Sequence, residues 1–88
     1  MKKLIEVVEV EGDGLEGLLG QNILVLCENY FYTGKLVGVN KTFIKLESPS
    51  IVYETGAWTT KGYTDSQKLP VNEWFVERTA IESYGMSK

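Results

Sequence analysis

The stretch from Leu18 to Leu46, LLGQNILVLCENYFYTGKLVGVNKTFIKL, decides the fold of this chain. In residues 23–27 (ILVLC), both sets of alternating positions are apolar, so a strand here would be apolar on both faces. A strand of this kind belongs to the interior of a protein. We therefore predict a buried strand that begins at Asn22 and ends before a turn at Glu28.

Two further strands follow this first one. Residues 30–40 predict a long strand that is interrupted by Gly34 and Gly38. A glycine inside a strand marks a bulge, a sharp bend or a close approach of another backbone. A third strand is predicted to start near Thr42 and to run to Leu46. The stretch thus predicts consecutive antiparallel strands that bend strongly.

A short helix is predicted before these strands. Residues 15–20 (LEGLLG) follow Asp13, which can cap a helix, and end at a glycine, which can close it, so the three leucines would pack on the sheet. Residues 12–17 (GDGLEG) match the dinucleotide fingerprint GxGxxG, but that fingerprint needs a long helix and a second parallel strand. We interpret the match as a turn and a helix cap. Residues 1–12 form an N-terminal extension, in which LIEVVEV is compatible with a strand or a short helix.

The chain beyond the third strand predicts an elongated hairpin arm over residues 47–70. Its Ser-Pro-Ser sequence should break the third strand, after which residues 51–54 resume it and a turn leads into residues 57–60. Residues 61–68 are polar and are interpreted as a loop.

Two short strands close the predicted fold, at residues 71–78 and 81–84. Five short antiparallel strands after a small helix are typical of a compact barrel. We therefore predict a single, mainly β domain over residues 1–88: a short N-terminal helix, then a strongly bent five-stranded antiparallel barrel with a long hairpin arm between strands 3 and 4.

The composition excludes several kinds of chemistry. Eighty-eight residues, 43% hydrophobic and 24% charged, suit one globular domain. The chain has no histidine and one cysteine, Cys27, which excludes Ser-His and Cys-His catalysis, imidazole zinc sites and an internal disulfide. No nucleophile–base pair can be assembled from the other side chains. We expect no enzyme, no catalytic residue, no metal and no cofactor.

The charge is unevenly distributed along the chain. The net charge is −3; residues 1–30 hold two basic and six acidic residues, and residues 31–88 hold seven and six. An anion-binding surface must therefore come from the second part, and we expect no DNA binding. No apolar run resembles a signal peptide or a membrane span. Together with the unpaired Cys27, this predicts a cytoplasmic protein with no membrane partner.

The stretch quoted at the start resembles the first motif of Sm-like proteins. LLGQNILV at residues 18–25 is similar to the end of the family's helix and its first strand, and the Gly-Lys-Leu sequence at Gly34 is similar to the G-x-L pattern across two bent strands. VERTAI at residues 76–81 is a looser match to the second motif, a corner before a short strand. The resemblance covers roughly residues 15–46 and 71–84, and its order of elements agrees with the strands predicted above.

The resemblance implies that the barrel assembles with copies of itself. Sm-like subunits close into head-to-tail rings of about five to eight copies. The fourth strand of one subunit pairs with the fifth strand of its neighbour, which hides two open sheet edges. The residues assigned in this way to the subunit interface are Val71, Trp74, Val76, Ile81 and Tyr84.

The resemblance also implies a ligand, single-stranded RNA rich in uridine or adenine and held around the inner rim of the ring. The pocket positions of the family fall on Asn40, Thr42, Ile44 and Arg78, with Thr79 beside them. Asn40 can donate and accept hydrogen bonds, and Arg78 can contact a phosphate, but Thr42 cannot supply the stacking worth about 1–3 kcal/mol per base. RNA binding should therefore be weak or selective. It also stays open that Asn40 is a turn residue and that Arg78 pairs with an acid.

Other interpretations concern the arm and the assembly. Tyr53, Trp58 and Tyr63 lie among lysines and could stack bases, but their alternation favours a hairpin seam or an oligomer contact. One alternative function is a ring-forming structural or protein-interaction module without RNA binding. Another is a monomeric barrel of the OB type that binds an oligonucleotide or a small ligand.

Overall fold

The computed structural model describes residues 12–88, which are mainly β. The elements in chain order are a 3₁₀ turn at Glu16–Leu18, β1 at Asn22–Cys27, β2 at Phe31–Val39, β3 at Phe43–Glu54, β4 at Asp65–Lys68, β5 at Glu73–Glu77, a second 3₁₀ turn at Arg78–Ala80, and β6 at Ile81–Met86. In this part of the chain no helix is both long and apolar enough to cross a membrane. The predicted extension, apart from Gly12, lies outside the described residues.

In the part of the chain that the structure describes, the six strands form one antiparallel sheet that does not close on itself. Its order is β4-β3-β2-β1-β6, and β5 pairs with the first half of β3 while β4 pairs with the second half. Within residues 12–88, β5 pairs only with β3 and β6 only with β1. The predicted antiparallel sheet is confirmed, but the compact five-stranded barrel is not, since the described sheet has six strands and does not close. The 3₁₀ turn at Arg78–Ala80 redirects the chain between the last two strands, so β6 runs along β1 instead of returning along β5.

The third strand is continuous, so the predicted break at Ser-Pro-Ser is also wrong. β3 keeps its pairing with β2 on both sides of this sequence, from Glu47 opposite Lys35 to Ser50 opposite Thr33. Pro49 falls at the register shift between these pairs, where its missing N–H removes no ladder hydrogen bond. The strand bends here because Ser48 has a φ of 51°, in the left-handed region.

The glycines of β2 have the role that their positions predict. The pairing of β2 with β3 shifts register twice, at Gly34 between Thr33 and Lys35, and directly before Gly38, between Leu36 and Gly38. At Gly34 a Cβ atom would lie 3.1 Å from the carbonyl oxygen of Glu47, closer than most Cβ contacts. Gly34 thus allows the two strands to approach each other and to bend together.

The arm is a hairpin, but its returning strand is misplaced by the sequence prediction. Residues 57–60, predicted to return along β3, belong to a loop that turns on itself, with the Thr60 N–H donating to the Ala57 carbonyl at 3.0 Å. The returning strand is instead β4, at residues 65–68, within the segment predicted to be a loop. Residues 55–64 connect the two strands, and we call them the arm loop.

The predicted N-terminal helix is reduced to one 3₁₀ turn of three residues. No side chain caps it, so the proposed cap by Asp13 is wrong. Glycines with positive φ, Gly14 and Gly20, stand on either side of the turn and leave no room for a longer helix. Leu15 is buried, whereas Leu19 is exposed, so only part of the predicted leucine face packs on the sheet.

The core lies inside the bend of the sheet. Its buried members come from the residue directly before the first 3₁₀ turn and from four strands: Leu15, Ile23, Val25, Cys27, Leu36, Ile44, Leu46 and Val76. β1 is buried on both faces, as its composition predicts, because Leu24 is buried on the side opposite to its neighbours. β1 therefore holds the centre of the sheet, and β5 and β6 are left at its margins.

Candidate nucleic-acid site and strand edges

Four residues that the Sm-like resemblance assigns to RNA lie together between the β2–β3 loop and the second 3₁₀ turn. The Arg78 guanidinium donates from Nη1 to the Asn40 carbonyl oxygen at 2.8 Å. The Arg78 backbone N–H donates to the Thr42 carbonyl oxygen at 2.9 Å. Thr79 follows directly in the chain and is exposed. The fold thus brings residues almost forty positions apart into one polar corner.

Asn40 has a structural role in this corner. Its Oδ1 atom accepts hydrogen bonds from the backbone N–H groups of Thr42 and Phe43, both at 2.8 Å. This is the side-chain geometry that closes a turn between two strands. The side-chain oxygen of Asn40 is therefore occupied, and its NH₂ group is the part that can meet a ligand.

Arg78 also has an acidic neighbour. Its Nη1 atom lies 3.8 Å from Glu16 Oε1 in a pair that is largely exposed. An exposed pair at this distance contributes little stability. A phosphate at Arg78 would therefore meet a nearby carboxylate, which lowers the attraction but does not fill the site.

The remaining pocket positions add little to base recognition. Thr42 is exposed and has no ring to stack on a base. Ile44 is fully buried in the core and cannot face a ligand in this corner.

The arm aromatics fall into two separate groups. Tyr53 packs edge to face on Tyr30, with ring centroids 6.1 Å apart, and its hydroxyl donates to Gln67 of the opposing strand at 3.4 Å. Trp58 and Tyr63 lie in the arm loop, with ring centroids 5.5 Å and 5.1 Å from the Lys88 Nζ atom. The three rings therefore do not form one stacking platform, and Tyr53 belongs to the hairpin seam.

The open edges of β5 and β6 carry exposed apolar side chains. Of the five residues assigned to the subunit interface, Val71, Trp74 and Tyr84 are exposed, whereas Val76 and Ile81 pack in or against the core. Two further exposed residues of the edge strands were not assigned from the sequence: Phe75 on β5 and Met86 on β6. Side chains alternate between the two faces of a strand, so the sequence would have indicated that Phe75 and Met86 are exposed only if the buried face of each strand had been known.

A groove of about 570 Å³ separates the two edge strands. Aromatic side chains of β2 and β5 line it, including Tyr32 and Trp74, whose ring centroids lie 6.5 Å apart. The ionisable side chains that line it include Glu28, Glu77 and Glu82, and among residues 12–88 no lysine or arginine lines it. This groove is therefore an apolar and acidic surface, unsuited to RNA.

Cys27 lies at the base of this groove. Burial, and then the nearby charge of Glu82, raise the pKa of the Cys27 thiol above its ordinary value of 9.0. The thiolate is thus disfavoured, which removes the nucleophilic form. Within residues 12–88 no three Cys, Asp or Glu side chains are grouped so that they could hold a metal ion.

We expect the pKa of Cys27 to make stability fall at alkaline pH. The unfolded chain ionises this thiol at its ordinary pKa, whereas the folded chain keeps it protonated, so its contribution is present below pH 9.0 and is lost above it. Urea unfolding between pH 8 and 10 should show a decline of at most about 1.4 kcal/mol per pH unit from this group. Cys27→Ala should flatten the decline; an unchanged decline in this variant would contradict the assignment.

Comparison with known proteins found no matching family model, no matching curated protein and no matching solved structure.

Proposed function

We propose that this chain is a subunit of a closed, homo-oligomeric ring of the Sm-like class, which binds single-stranded RNA weakly at the corner of Asn40, Thr42, Arg78 and Thr79. The observation that carries the proposal is the pair of open edges, β5 and β6, on either side of one groove. The buried, unpaired Cys27 suits a reducing compartment, and we propose a cytoplasmic location.

The two edges suit head-to-tail pairing. An open edge presents unpaired N–H and C=O groups, which a strand of another chain can satisfy. β5 has five residues and β6 has six, so one can cover the other almost completely. Pairing β5 of one copy with β6 of the next uses these two edges of every copy, and such a heterologous contact generates a ring when its rotation closes.

The polar corner supports the RNA-binding part of the proposal. The Arg78 guanidinium has five N–H donors, and one of them donates to the Asn40 carbonyl oxygen. The remaining donors can contact a phosphate, and the Asn40 NH₂ group and the Thr79 hydroxyl can add hydrogen bonds to a base or sugar.

A ring without RNA binding is the second candidate, and specific contacts favour it. Both hydrogen bonds to Asn40 Oδ1 come from its own loop, and Glu16 stands near the Arg78 guanidinium. On this alternative the corner only stabilises the turn, and the ring presents its surface to a protein partner.

A titration with oligo-U and oligo-A separates the two candidates. We expect binding at low salt that weakens at moderate salt, since phosphate contacts release counterions. Arg78→Ala should weaken binding by about 10–100-fold, because a charged hydrogen bond contributes about 1.5–3 kcal/mol. Lys68→Ala is the matched control, since it removes the same charge from exposed β4 and should leave binding within about twofold.

The result also depends on the fold of the variant. Thermal unfolding of Arg78→Ala should be checked, since the lost bond to the Asn40 carbonyl could loosen the corner. If wild-type protein binds neither oligonucleotide at low salt, or if folded Arg78→Ala binds as well as wild type, the RNA-binding part is wrong and the ring module without RNA remains.

A further inference from the structure

The ammonium group of Lys88 is enclosed by the arm loop. Its Nζ atom donates to three backbone carbonyl oxygens, those of Thr55 at 2.7 Å, Ala57 at 3.0 Å and Thr60 at 3.2 Å. An ammonium group has three N–H donors, so the three acceptors satisfy all of them. The loop thus provides a complete set of acceptors for one primary ammonium group.

Two aromatic rings complete the enclosure. The Nζ atom lies 5.5 Å from the ring centroid of Trp58 and 5.1 Å from that of Tyr63. Both distances are within the range of cation–π attraction. Among residues 12–88 no carboxylate lies within 4.0 Å of the Lys88 ammonium. The group is therefore held by carbonyl dipoles and ring faces instead of an opposite charge.

The shape of the loop is determined without Lys88. Gly56 and Gly62 have φ angles of 71° and 79°, which turn the backbone at both ends of the site. The Thr60 N–H closes an inner turn on the Ala57 carbonyl. Because other contacts shape the loop, its carbonyls can remain aimed at one point when the lysine leaves.

A second set of contacts anchors the chain next to Lys88. The hydroxyl groups of Tyr63 and Ser87 lie 2.7 Å apart, and the Thr33 hydroxyl lies 3.2 Å from that of Ser87. The Ser87 N–H donates to the Asn22 carbonyl at 3.0 Å. Ser87 is thus held on β1 and β2 by bonds that do not involve the Lys88 side chain.

We infer that the arm loop is a binding site for a primary alkylammonium group, and that Lys88 fills it as an internal ligand. An external alkylammonium, from a lysine side chain of a partner or from a polyamine, enters when Lys88 withdraws. Trp58 is 61% exposed, so the site can be reached from solvent. The inference is independent of ring formation and of RNA binding.

The carbonyls make the site selective for a primary ammonium. A quaternary ammonium has no N–H and keeps only the attraction of the two rings. Lys88 competes with an external ligand at the effective concentration of a tethered group, in the millimolar range. Wild-type protein should therefore bind added amines much more weakly than a variant without the Lys88 ammonium.

The test is chemical complementation: n-butylammonium is titrated into Lys88→Ala, and binding is measured from the NMR chemical shift of the indole N–H of Trp58. We expect saturable binding to Lys88→Ala that is at least about tenfold tighter than to wild type. Lys61→Ala, which removes an exposed lysine of the same loop, is the matched control and should behave as wild type. Tetramethylammonium should bind Lys88→Ala several-fold more weakly than n-butylammonium.

Further measurements identify the source of the ligand and control for unfolding of the variants. Nα-acetyl-lysine methylamide and putrescine are titrated into Lys88→Ala in parallel. Tighter binding of the first indicates a lysine of a partner protein as the ligand, and tighter binding of the second indicates a polyamine. Lys88→Met keeps an unbranched side chain up to Cε, lacks the ammonium group and should also gain affinity for n-butylammonium. The inference is overturned if folded Lys88→Ala and Lys88→Met show no saturable binding, if Trp58→Ala in the Lys88→Ala background binds equally well, or if tetramethylammonium binds as tightly.

Discussion

Replacing Phe75 by glutamate is expected to convert the proposed ring to a monomer. A ring of about five to eight copies has a mass of roughly 50–80 kDa, whereas one chain has a mass of 9.9 kDa. Phe75 is 55% exposed on β5, and a new carboxylate there would stand on the strand that a neighbouring copy must cover. Charged residues on an edge are the means by which sheets avoid pairing with another chain.

The same effect is expected from the other edge. Tyr84→Glu places a carboxylate on β6, where the side chain of Tyr84 is exposed. Each variant keeps one intact edge: β6 in Phe75→Glu and β5 in Tyr84→Glu. If the contact is head-to-tail, mixing the two variants should produce a one-to-one dimer through the two intact edges, with twice the mass of one chain.

Light scattering and sedimentation velocity measure these masses. Lys61→Glu, an exposed change in the arm loop, is the control and should leave the mass of the ring unchanged. The edge strands already carry Glu77 and Glu82, and each copy has a net charge of −3, so added salt should favour assembly. A wild-type monomer at micromolar concentration would refute the ring and leave the monomeric OB-type barrel as the better hypothesis.

Replacing Ile44 by asparagine is expected to lower the free energy of unfolding by about 4 kcal/mol or more. The Sm-like resemblance assigns this position to the RNA pocket, yet Ile44 is fully buried and belongs to the core cluster with Leu36 and Leu46. Removing its apolar atoms leaves a gap in the core, and the new amide would be buried among apolar side chains without a partner.

Denaturant unfolding monitored by tryptophan fluorescence measures this loss. Ile44→Val is the control, because it removes one methylene group and should cost about 0.5–1.5 kcal/mol. A loss below about 1 kcal/mol for Ile44→Asn, or tighter binding of oligo-U by this variant, would show that the side chain faces the ligand and not the core.

Some elements could be predicted because the signal is local. In residues 23–27 both sets of alternating positions are apolar, which predicted a strand with two buried faces. Ile23 and Leu24 are indeed buried on opposite faces of β1. The glycines of β2 predicted bends, and the register shifts lie at Gly34 and directly before Gly38. Apolar alternation and glycine act within a few residues, so a single sequence carries both signals.

Other elements were mispredicted because long-range contacts decide them. Ser-Pro-Ser normally ends a strand, but the register shift opposite Gly34 accommodates Pro49 and β3 continues. The polar residues 65–68 look like a loop, yet they pair with the end of β3. Local propensity is weak for such segments, and the neighbouring strand supplies the hydrogen bonds that determine their conformation.

The candidate site was only partly visible in the sequence. The resemblance assigned Asn40 and Arg78 to the same pocket, and in the structure a hydrogen bond of 2.8 Å joins them. The enclosure of Lys88 had no sequence signal, because its three acceptors are backbone carbonyls 28 to 33 residues away, and every residue has one.

The amino-acid order alone was sufficient for the β class, for the buried first strand and for the bends, since each depends on side-chain pattern over a few positions. Tertiary structure alone decided whether the sheet closes. Closure depends on where the 3₁₀ turn at Arg78–Ala80 sends the last strand, and β6 pairs with β1 while β5 stays on β3. Among residues 12–88 this choice of partners leaves one side of β5 and one side of β6 unpaired, because the possible strand pairings differ in long-range geometry and not in local composition.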